Sequence, residues 1–353
     1  MHASPLTYRR QIETILLGWG ARIEAAAATA DALLYAGISG IDSHGISILA
    51  EYDARRRNGW LDLRAEPRIM SETPASVLID AGGGLGHWPG SVAMNEAIAR
   101  AKSIGLAAAS VRNSAHFGAC GYYTKMAAEA GLIGIATTSA MMIRVVPTFG
   151  AEPRLGTDPF SFAAPGEEGK PFLLDMATTT VAFGKVRNKR NENLPCPPGW
   201  VLDSAGQPST DPADVAERGG FLTPLGGSAE NASYKGYGLA AMVNILSACL
   251  AGAQPITDPA RATRPGGPEI GHFFLALDPK IFRDPAEFRA DVAAFCDSLR
   301  ATRPLDPATP VLVAGDPERA AAERRAKEGI PIPPGLAAHL QEIAREVDVP
   351  WLL

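Results

Sequence analysis

Apolar residues recur at helical spacing from Thr7 to Ala36, with Ile12, Ile15 and Leu16 on one stripe and Ala26, Ala30 and Leu33 on a later one. This predicts two N-terminal helices. Gly37 to Gly45 breaks the rhythm with Gly37, Gly40, Asp42 and Gly45. It predicts a turn that opens a third helix through Ile48, Tyr52 and Arg55 up to Gly59, with His44 at its entrance. Ser76 to Ala81 reads as a strand, Pro89 starts a helix that closes near Gly105, and Leu106 to Val111 reads as the next strand. A helix from Tyr122 to Glu129, stopped by Gly131, and the apolar run Leu132 to Ala136 repeat the alternation, so the texture is α/β.

That texture invites a dinucleotide-binding reading of Gly82-Gly83-Gly84-Leu85-Gly86. Pro89 stands where the last glycine of the fingerprint belongs, and no acidic residue follows about 20 positions on. From Asn188 to Tyr234 the chain is dense in Pro, Gly, Asn and Asp, too irregular for helix and too long for an idle connection, which predicts a functional excursion. Gly236 to Ala253 barely reaches membrane-spanning length, carries Asn244 and Ser247, and is predicted to be a buried helix. Beyond Asp284 helical spacing returns, with Phe288, Val292, Phe295 and Leu299 on one face, then a proline-rich link and a last helix from Leu336 to Val347.

Composition narrows the partners. With 46% hydrophobic and 20% charged residues the chain can bury one large core or two ordinary ones. A net charge of −5 and the lack of any long basic run argue against nucleic acid and for a small molecule. Arg9, Arg10 and Glu13 precede any apolar run, so no secretory peptide is expected, and no membrane partner either. Cys120, Cys196, Cys249 and Cys296 lie far apart, which fits a reducing cytosol and a cytoplasmic protein.

Histidine titrates near neutrality and suits acid/base chemistry. Of six histidines, His2 is terminal and His339 falls on a surface-type helix, leaving His44, His87, His116 and His272 in or beside glycine-bearing loops. Ser43 can orient the His44 ring while Gly45 admits a ligand to the backbone; alternatively Ser43 caps the helix and His44 is its partly buried neighbour. His116 lies in Asn113-Ser114-Ala115-His116-Phe117-Gly118, a loop whose amides can face an anion or simply satisfy the histidine. Ile41 in place of the first elbow glycine argues against a Ser43/His44 hydrolase. A metal held by Asp42, His44, His116 and His272 would lack the close helical spacing of common zinc sites, so no metal is expected.

Together, several segments resemble the malate/L-lactate dehydrogenase family, which includes ureidoglycolate and sulfolactate dehydrogenases and cyclic-imine reductases. They are Asp42-Ser43-His44-Gly45 with Tyr52 and Gly59, Asn113-Ser114 with His116-Phe117-Gly118, Gly156-Thr157-Asp158-Pro159, Leu174-Asp175-Met176-Ala177-Thr178 and Gly184-Lys185. Gly199-Trp200 with Asp203 and Gly206, Pro224-Leu225-Gly226-Gly227, and Lys235-Gly236-Tyr237-Gly238-Leu239 extend the likeness over most of the chain. The resemblance implies a non-Rossmann α/β fold, of α+β character, with a largely antiparallel sheet and flanking helices, and a homodimer. It divides the chain into a helical part at 1–75, an NAD(P)-binding sheet domain at 76–283, and a helical part at 284–353 packed with the first. It implies His116 as proton donor and acceptor, with His44 and Ser43 lining the site near nicotinamide and substrate. Gly118, Ala119 and Cys120, with Asp175, Met176, Ala177, Thr178 and Lys235, match positions that hold the dinucleotide.

Ile48 departs from that pattern, because many relatives carry an arginine there that clamps the substrate carboxylate, and isoleucine cannot. Arg144 or Arg55 would then supply the charge, or the pocket beside Ile48 and Tyr52 takes a bulkier apolar side chain. Asp158 replaces the usual asparagine, and Lys185 stands where the imine-reducing branch carries an acid. The expected activity is therefore interconversion of a 2-oxo and a 2-hydroxy acid with NAD or NADP. A ketimine reductase on the same fold and a non-catalytic ligand-binding relative are the alternatives.

Overall fold

The computed structural model describes residues 1–140, 142–253 and 269–353; the part of the expected 76–283 domain that falls on 254–268 lies outside the described residues. By packing, the chain forms two compact units, Met1–Ala136 with Ser161–Asp175 and Phe274–Leu353, and Thr137–Phe160 with Met176–Phe273.

In the first unit both chain ends share one apolar core. The predicted N-terminal helices are Pro5–Gly18 and Ile23–Ile38, and their Ile12, Ile15, Leu16 and Leu33 pack in a cluster with Leu340 and Ile343 of the last helix, Pro334–Glu346. Short strands tie the ends together, His2–Ala3 antiparallel to Ile330–Pro331. The third helix, Leu49–Arg57, is preceded by two single turns of 3-10 helix, Asp42–His44 and Ile46–Ile48, and is left through Gly59 at φ +73°.

A seven-stranded sheet runs in the order Arg68–Thr73, Ser76–Asp80, Leu106–Ser114, Ile270–Leu277, Ile133–Thr138, Phe160–Glu167, Lys170–Met176. The first pair is antiparallel and the second parallel. The last two strands are joined by two residues, which only an antiparallel hairpin permits. The sheet is thus mixed, and its order is not that of a doubly wound nucleotide fold. The parallel pair encloses the helix His87–Ile104, whose Ala93, Ala97 and Ala101 meet Ala107, Ala109 and Val111 of the strand. Small residues on both faces bring that helix close to the sheet. It begins two residues before the expected Pro89, which costs nothing because a first-turn N–H has no helical partner to lose.

In the second unit the expected irregular excursion is built from the helix Phe183–Asn191, a three-stranded sheet (Phe221–Leu222, Val201–Leu202, Pro208–Ser209) and the helix Pro212–Ala216, over a core of Val145, Val186, Val201 and Leu222. The segment expected as a buried helix is Tyr234–Asn244 followed by a π-helical turn, Ile245–Cys249, and it is buried along one face only: Ala240, Val243, Ser247 and Ala248 are buried, while Ile245 and Leu250 are 59% and 60% exposed in the single chain. The expected apolar face of Pro285–Arg300 likewise leaves Phe295 and Leu299 exposed. In both, spacing correctly marks the helix, but a stripe says nothing of what lies opposite it. No helix among the described residues is long and apolar enough to cross a membrane.

Candidate active site

The loop bearing His116 is anchored by backbone. Where the parallel strands end, Asn113 takes a left-handed conformation (φ +50°), which asparagine tolerates. Its amide donates to Asp80 Oδ1 at 3.0 Å, and Arg112 Nε donates to Asp80 Oδ2 at 3.2 Å. The glycine turn then closes on this loop. Gly83 N–H donates to Asn113 O (2.7 Å), Gly86 N–H to His116 O (3.0 Å), Gly84 N–H to Ala81 O (3.1 Å) and Gly82 N–H to Asp80 Oδ1 (2.9 Å). Those amides are spent inside the protein, so this strand–turn–helix has no free cradle for a pyrophosphate. Its work is to fix His116.

His116 points into a small cluster of polar rings. Its Nδ1 is hydrogen-bonded to the Tyr52 hydroxyl at 2.6 Å, and Gly118 N–H approaches the same nitrogen at 3.4 Å. The Tyr52 hydroxyl lies 3.4 Å from His87 Nε2 on its other side. Tyr52 and His87 are fully buried, and His116 and His44 half-buried with ring centroids 5.4 Å apart. Burial lowers the His87 pKa to about 3, with a smaller contribution from His44 whenever that ring is protonated, so His87 is neutral.

The turn bearing His44 has the local backbone bonds of its own 3-10 turns, such as His44 N–H to Ile41 O at 2.9 Å, but its ties to distant parts of the chain are made by side chains. Ser43 Oγ is hydrogen-bonded to His44 Nδ1 at 2.9 Å, and Ser47 Oγ donates to Asp42 O at 2.6 Å. From the C-terminal helix Asp316–Glu328, Arg325 donates to both Asp42 carboxylate oxygens (2.5 and 3.0 Å) and to Gly37 O (2.6 Å). The Tyr8 hydroxyl accepts from Ile46 N–H at 2.6 Å, wedged where a β-carbon on Gly37 or Gly45 would overlap it. Desolvation holds His44 below the ordinary histidine range, with Glu51 opposing it.

The remaining expected site residues divide between the units. Ile48 packs on the core shared by the chain ends, and Arg55 is buried in an ion pair with Glu51. Arg144 lies in the second unit with its guanidinium 4.1 Å from the Phe183 ring centroid, and Lys185 is exposed on the helix that Phe183 begins. Gly118 adopts φ +82° and leads through Ala119 into the helix Cys120–Glu129; Cys120 is buried, which raises the pKa of its thiol. Asp175 accepts from Gly121 N–H at 2.7 Å, and burial pushes its carboxyl up to about 6. Met176 and Ala177 are half-buried, while Thr178 is buried with its hydroxyl donating to Asp158 O at 3.0 Å. Asp158 itself is fully buried, accepting from Ala140 and Gly156 N–H at 2.9 Å each, and burial pushes its carboxyl up to about 6 against those bonds and one from Asn244. His272 is a buried strand residue bonded to Thr138 Oγ1 at 2.7 Å, away from any loop. Among the described residues no cluster of potential metal ligands occurs.

Two places fit parts of a dinucleotide. In the first unit the buried Tyr35 hydroxyl has no hydrogen-bond partner among the described residues, and a β-carbon on Gly121 would lie 2.7 Å from it and 2.9 Å from Asp175 Oδ2. A bare glycine there leaves a carboxylate acceptor and a hydroxyl for a sugar. In the second unit the helix Tyr234–Asn244 starts without a side-chain cap, and Lys235 in its first turn is exposed with no ion pair among the described residues. A cation at a helix N-terminus suits a phosphate.

His87, Tyr8 and Arg325 are the residues that sequence reasoning did not assign to this site. Gly86-His87 beside the glycine turn is a signal for the first; nothing local marks the other two, 34 and 283 residues from Asp42.

Residues 4–341 match the malate/L-lactate dehydrogenase family. Among similar proteins, malate dehydrogenase of Pyrococcus abyssi is 37% identical over 96% of this chain and 92% of its own length. The NAD(+) ureidoglycolate dehydrogenase of Escherichia coli K12 is 33% identical over 94% of this chain and 93% of its own. Among solved structures, malate dehydrogenase from Entamoeba histolytica superimposes with a TM-score of 0.94 at 33% identity, covering 99% of both chains. The delta1-piperideine-2-carboxylate reductase from Pseudomonas syringae superimposes with a TM-score of 0.86 at 28% identity, over 98% of this chain and 100% of its own.

Proposed function

Since the chain belongs to the malate/L-lactate dehydrogenase family and is a nicotinamide-dependent oxidoreductase of the 2-hydroxy acid dehydrogenase type, we propose that His116 is its general acid and base. The observation that carries this is the hydrogen bond between Tyr52 and His116 Nδ1. With the Tyr52 hydroxyl and Gly118 N–H both directed at Nδ1, the resting neutral ring carries its proton on Nε2, and it becomes the acid on taking up a second proton at Nδ1. When bound, the reduced dinucleotide supplies hydride to the carbonyl carbon of a 2-oxo acid. In its imidazolium form His116 gives the carbonyl oxygen the Nε2 proton and is left neutral with the remaining proton on Nδ1, and that form takes the proton back at Nε2 when the 2-hydroxy acid is oxidised. Ser43 and His44, the latter neutral because it is desolvated, orient the substrate by hydrogen bonds. Tyr52, buried behind His116, acts on the substrate only through that ring.

Gly118, Ala119 and Cys120 through their backbone, Asp175 with Met176, Ala177 and Thr178, and Lys235 hold the cofactor. Ile48 offers no charge, so Arg144 is proposed as the carboxylate partner, and Ile48 as an apolar wall that favours a larger substrate side chain. The domain at 76–283 is the cofactor-binding part, flanked by the helical parts 1–75 and 284–353. The protein is proposed to work in the cytoplasm as a homodimer, which the exposed Ile245, Leu250 and Phe295 support.

The test is loss of reduced-nicotinamide absorbance with NADH and NADPH in parallel, across pyruvate, phenylpyruvate, oxaloacetate and a cyclic imine. Turnover of an oxo acid that falls about 100- to 10,000-fold in His116→Gln, with dinucleotide affinity kept, is the expected result. An unchanged rate in that variant overturns the assignment of His116, and turnover of the imine alone favours the ketimine reductase, a reading supported by the similarity to the piperideine-carboxylate reductase.

A further inference from the structure

To give a proton from Nε2, the His116 ring must hold a second one on Nδ1, and taking it up turns Nδ1 from acceptor to donor, so the groups around that nitrogen must accommodate both states. In the resting neutral ring, with its proton on Nε2, Nδ1 accepts, and the Tyr52 O–H and Gly118 N–H both serve it, at 2.6 and 3.4 Å. Once His116 is an imidazolium, Nδ1 becomes a donor. The Gly118 amide cannot reverse. The Tyr52 oxygen can accept, provided its own proton finds another acceptor, because an orphaned hydroxyl in a fully buried place costs what a lost hydrogen bond costs.

The group in position is His87. Its Nε2 lies 3.4 Å from the Tyr52 hydroxyl, at the long end of hydrogen-bonding range, and its ring stands edge-on to that of Tyr52 with centroids 5.7 Å apart. His87 is fully buried, and its Nδ1 has no partner among the described residues, an arrangement with no evident structural use at the first turn of a helix. With its proton on Nδ1, the neutral ring offers a lone pair at Nε2 to Tyr52.

We propose that His87 is a positioning residue: through the Tyr52 hydroxyl it completes a three-member hydrogen-bond chain, His116–Tyr52–His87, that lets the His116 ring hold its second proton. The chain's part in turnover rests on the proposed acid/base role of His116. One proton and one hydroxyl rotation are involved, and no bond to carbon changes in the chain itself. The other titratable groups facing these rings among the described residues are His44, 5.4 Å from His116 by centroid, the buried Tyr123 beside Tyr52, and the Glu51 and Arg55 pair, which act on Tyr52 with opposite sign. All of them stay in place in the variants that follow.

The experiment is an NMR titration of His116 in the full chain without ligands, with labelled histidine, assigned by loss of its signal in His116→Gln. The His116 midpoint is expected to fall by about one pH unit in His87→Leu relative to wild type. In His87→Gln, whose side-chain oxygen can accept from Tyr52, it is expected to stay within a few tenths. In Tyr52→Phe it falls as well, and adding His87→Leu to that background changes nothing further. A wild-type midpoint in His87→Leu overturns the proposal, and so does a further drop in the double variant, because the influence would then bypass the hydroxyl. Circular dichroism and NAD binding confirm that each variant is folded. The kcat/KM profile separates the two readings: a midpoint that moves while the profile stays put upholds the chain and instead removes His116 from proton transfer.

Discussion

The two histidine-bearing turns of the first unit are held by different means. The His116 loop hangs on backbone hydrogen bonds from the glycine turn, Gly83 to Asn113 and Gly86 to His116, which no side-chain substitution removes directly. The His44 turn hangs on the Arg325 guanidinium and the Tyr8 hydroxyl, each reaching in from a distant helix. A group that must transfer a proton needs a fixed nitrogen, whereas one that only orients substrate can sit on a turn whose attachment side chains can adjust. The comparison therefore predicts that single substitutions damage the His44 turn far more readily than the His116 loop.

The backbone-anchored side has its own weakness, a buried neutral histidine at the end of the glycine turn. The His87 pKa of about 3 lies below that of the unfolded chain, so this residue's contribution to stability is complete above about pH 6.5 and is lost as the pH falls toward 3. On the order of 5 kcal/mol is involved, the largest effect foreseen here. His87→Leu is expected to lose less stability than wild type over that window, as read from urea unfolding at a series of pH values. Parallel curves for the two proteins would mean that His87 is protonated or hydrated in the folded state.

On the side-chain-anchored turn, Arg325→Ala removes one donor to Gly37 O and two to Asp42. Because the Asp42 side chain is 61% exposed, the ion pair itself counts for little, and the main loss is the buried Gly37 carbonyl left without its donor. A stability loss of about 2 kcal/mol and a roughly tenfold rise in KM for the substrate, with the His116 titration unmoved, are expected. Arg325→Lys recovers only part, since an ammonium cannot span two carboxylate oxygens and a carbonyl in one plane. If the His116 titration shifts as well, the two turns are not independent.

Tyr8→Phe strips the acceptor from Ile46 N–H and should cost about 1–2 kcal/mol. Gly45→Ala drives a methyl into the same hydroxyl and should cost about as much. Together they should cost less than their sum, because phenylalanine vacates the space the methyl needs. Strict additivity in a double-mutant cycle would mean that the wedge of Tyr8 against Gly45 does not set the turn.

How much of this could be read from the sequence follows the range of each interaction. Helical spacing locates the N-terminal helices, and the displaced fingerprint of Gly82 to Gly86 rightly excludes a phosphate cradle, because propensity and turn chemistry act within a few residues. The family motifs bring His44, Ser43, Tyr52 and His116 into one place. Their relation does not follow from the motifs: Tyr52 and His116 are 64 positions apart, and nothing along the chain says that the tyrosine sits behind the histidine. Arg325, 283 positions from Asp42, lies on a helix whose pattern looks wholly solvent-facing, so its burial cannot be foreseen. The exposed faces of Tyr234–Asn244 and Pro285–Arg300 err in the other direction, since an apolar stripe predicts burial without naming the partner.

The smallest effect tests the backbone side of the comparison most directly. Asp80 is the carboxylate at the base of the His116 loop, accepting from Gly82 N–H, Asn113 Nδ2 and Arg112 Nε. In Asp80→Asn the retained oxygen still serves Gly82 and Asn113, and only the Arg112 contact is surrendered. That pair is partly exposed on both sides, which limits it to about 1 kcal/mol or less. The bonds from Gly83 and Gly86 are untouched, so His116 keeps its place and kcat should stay within about twofold of wild type, a free-energy change below 0.5 kcal/mol, or roughly so. A tenfold loss of kcat would instead mean that the His116 loop, like the His44 turn, depends on a charged side chain, and the distinction between the two turns would fall.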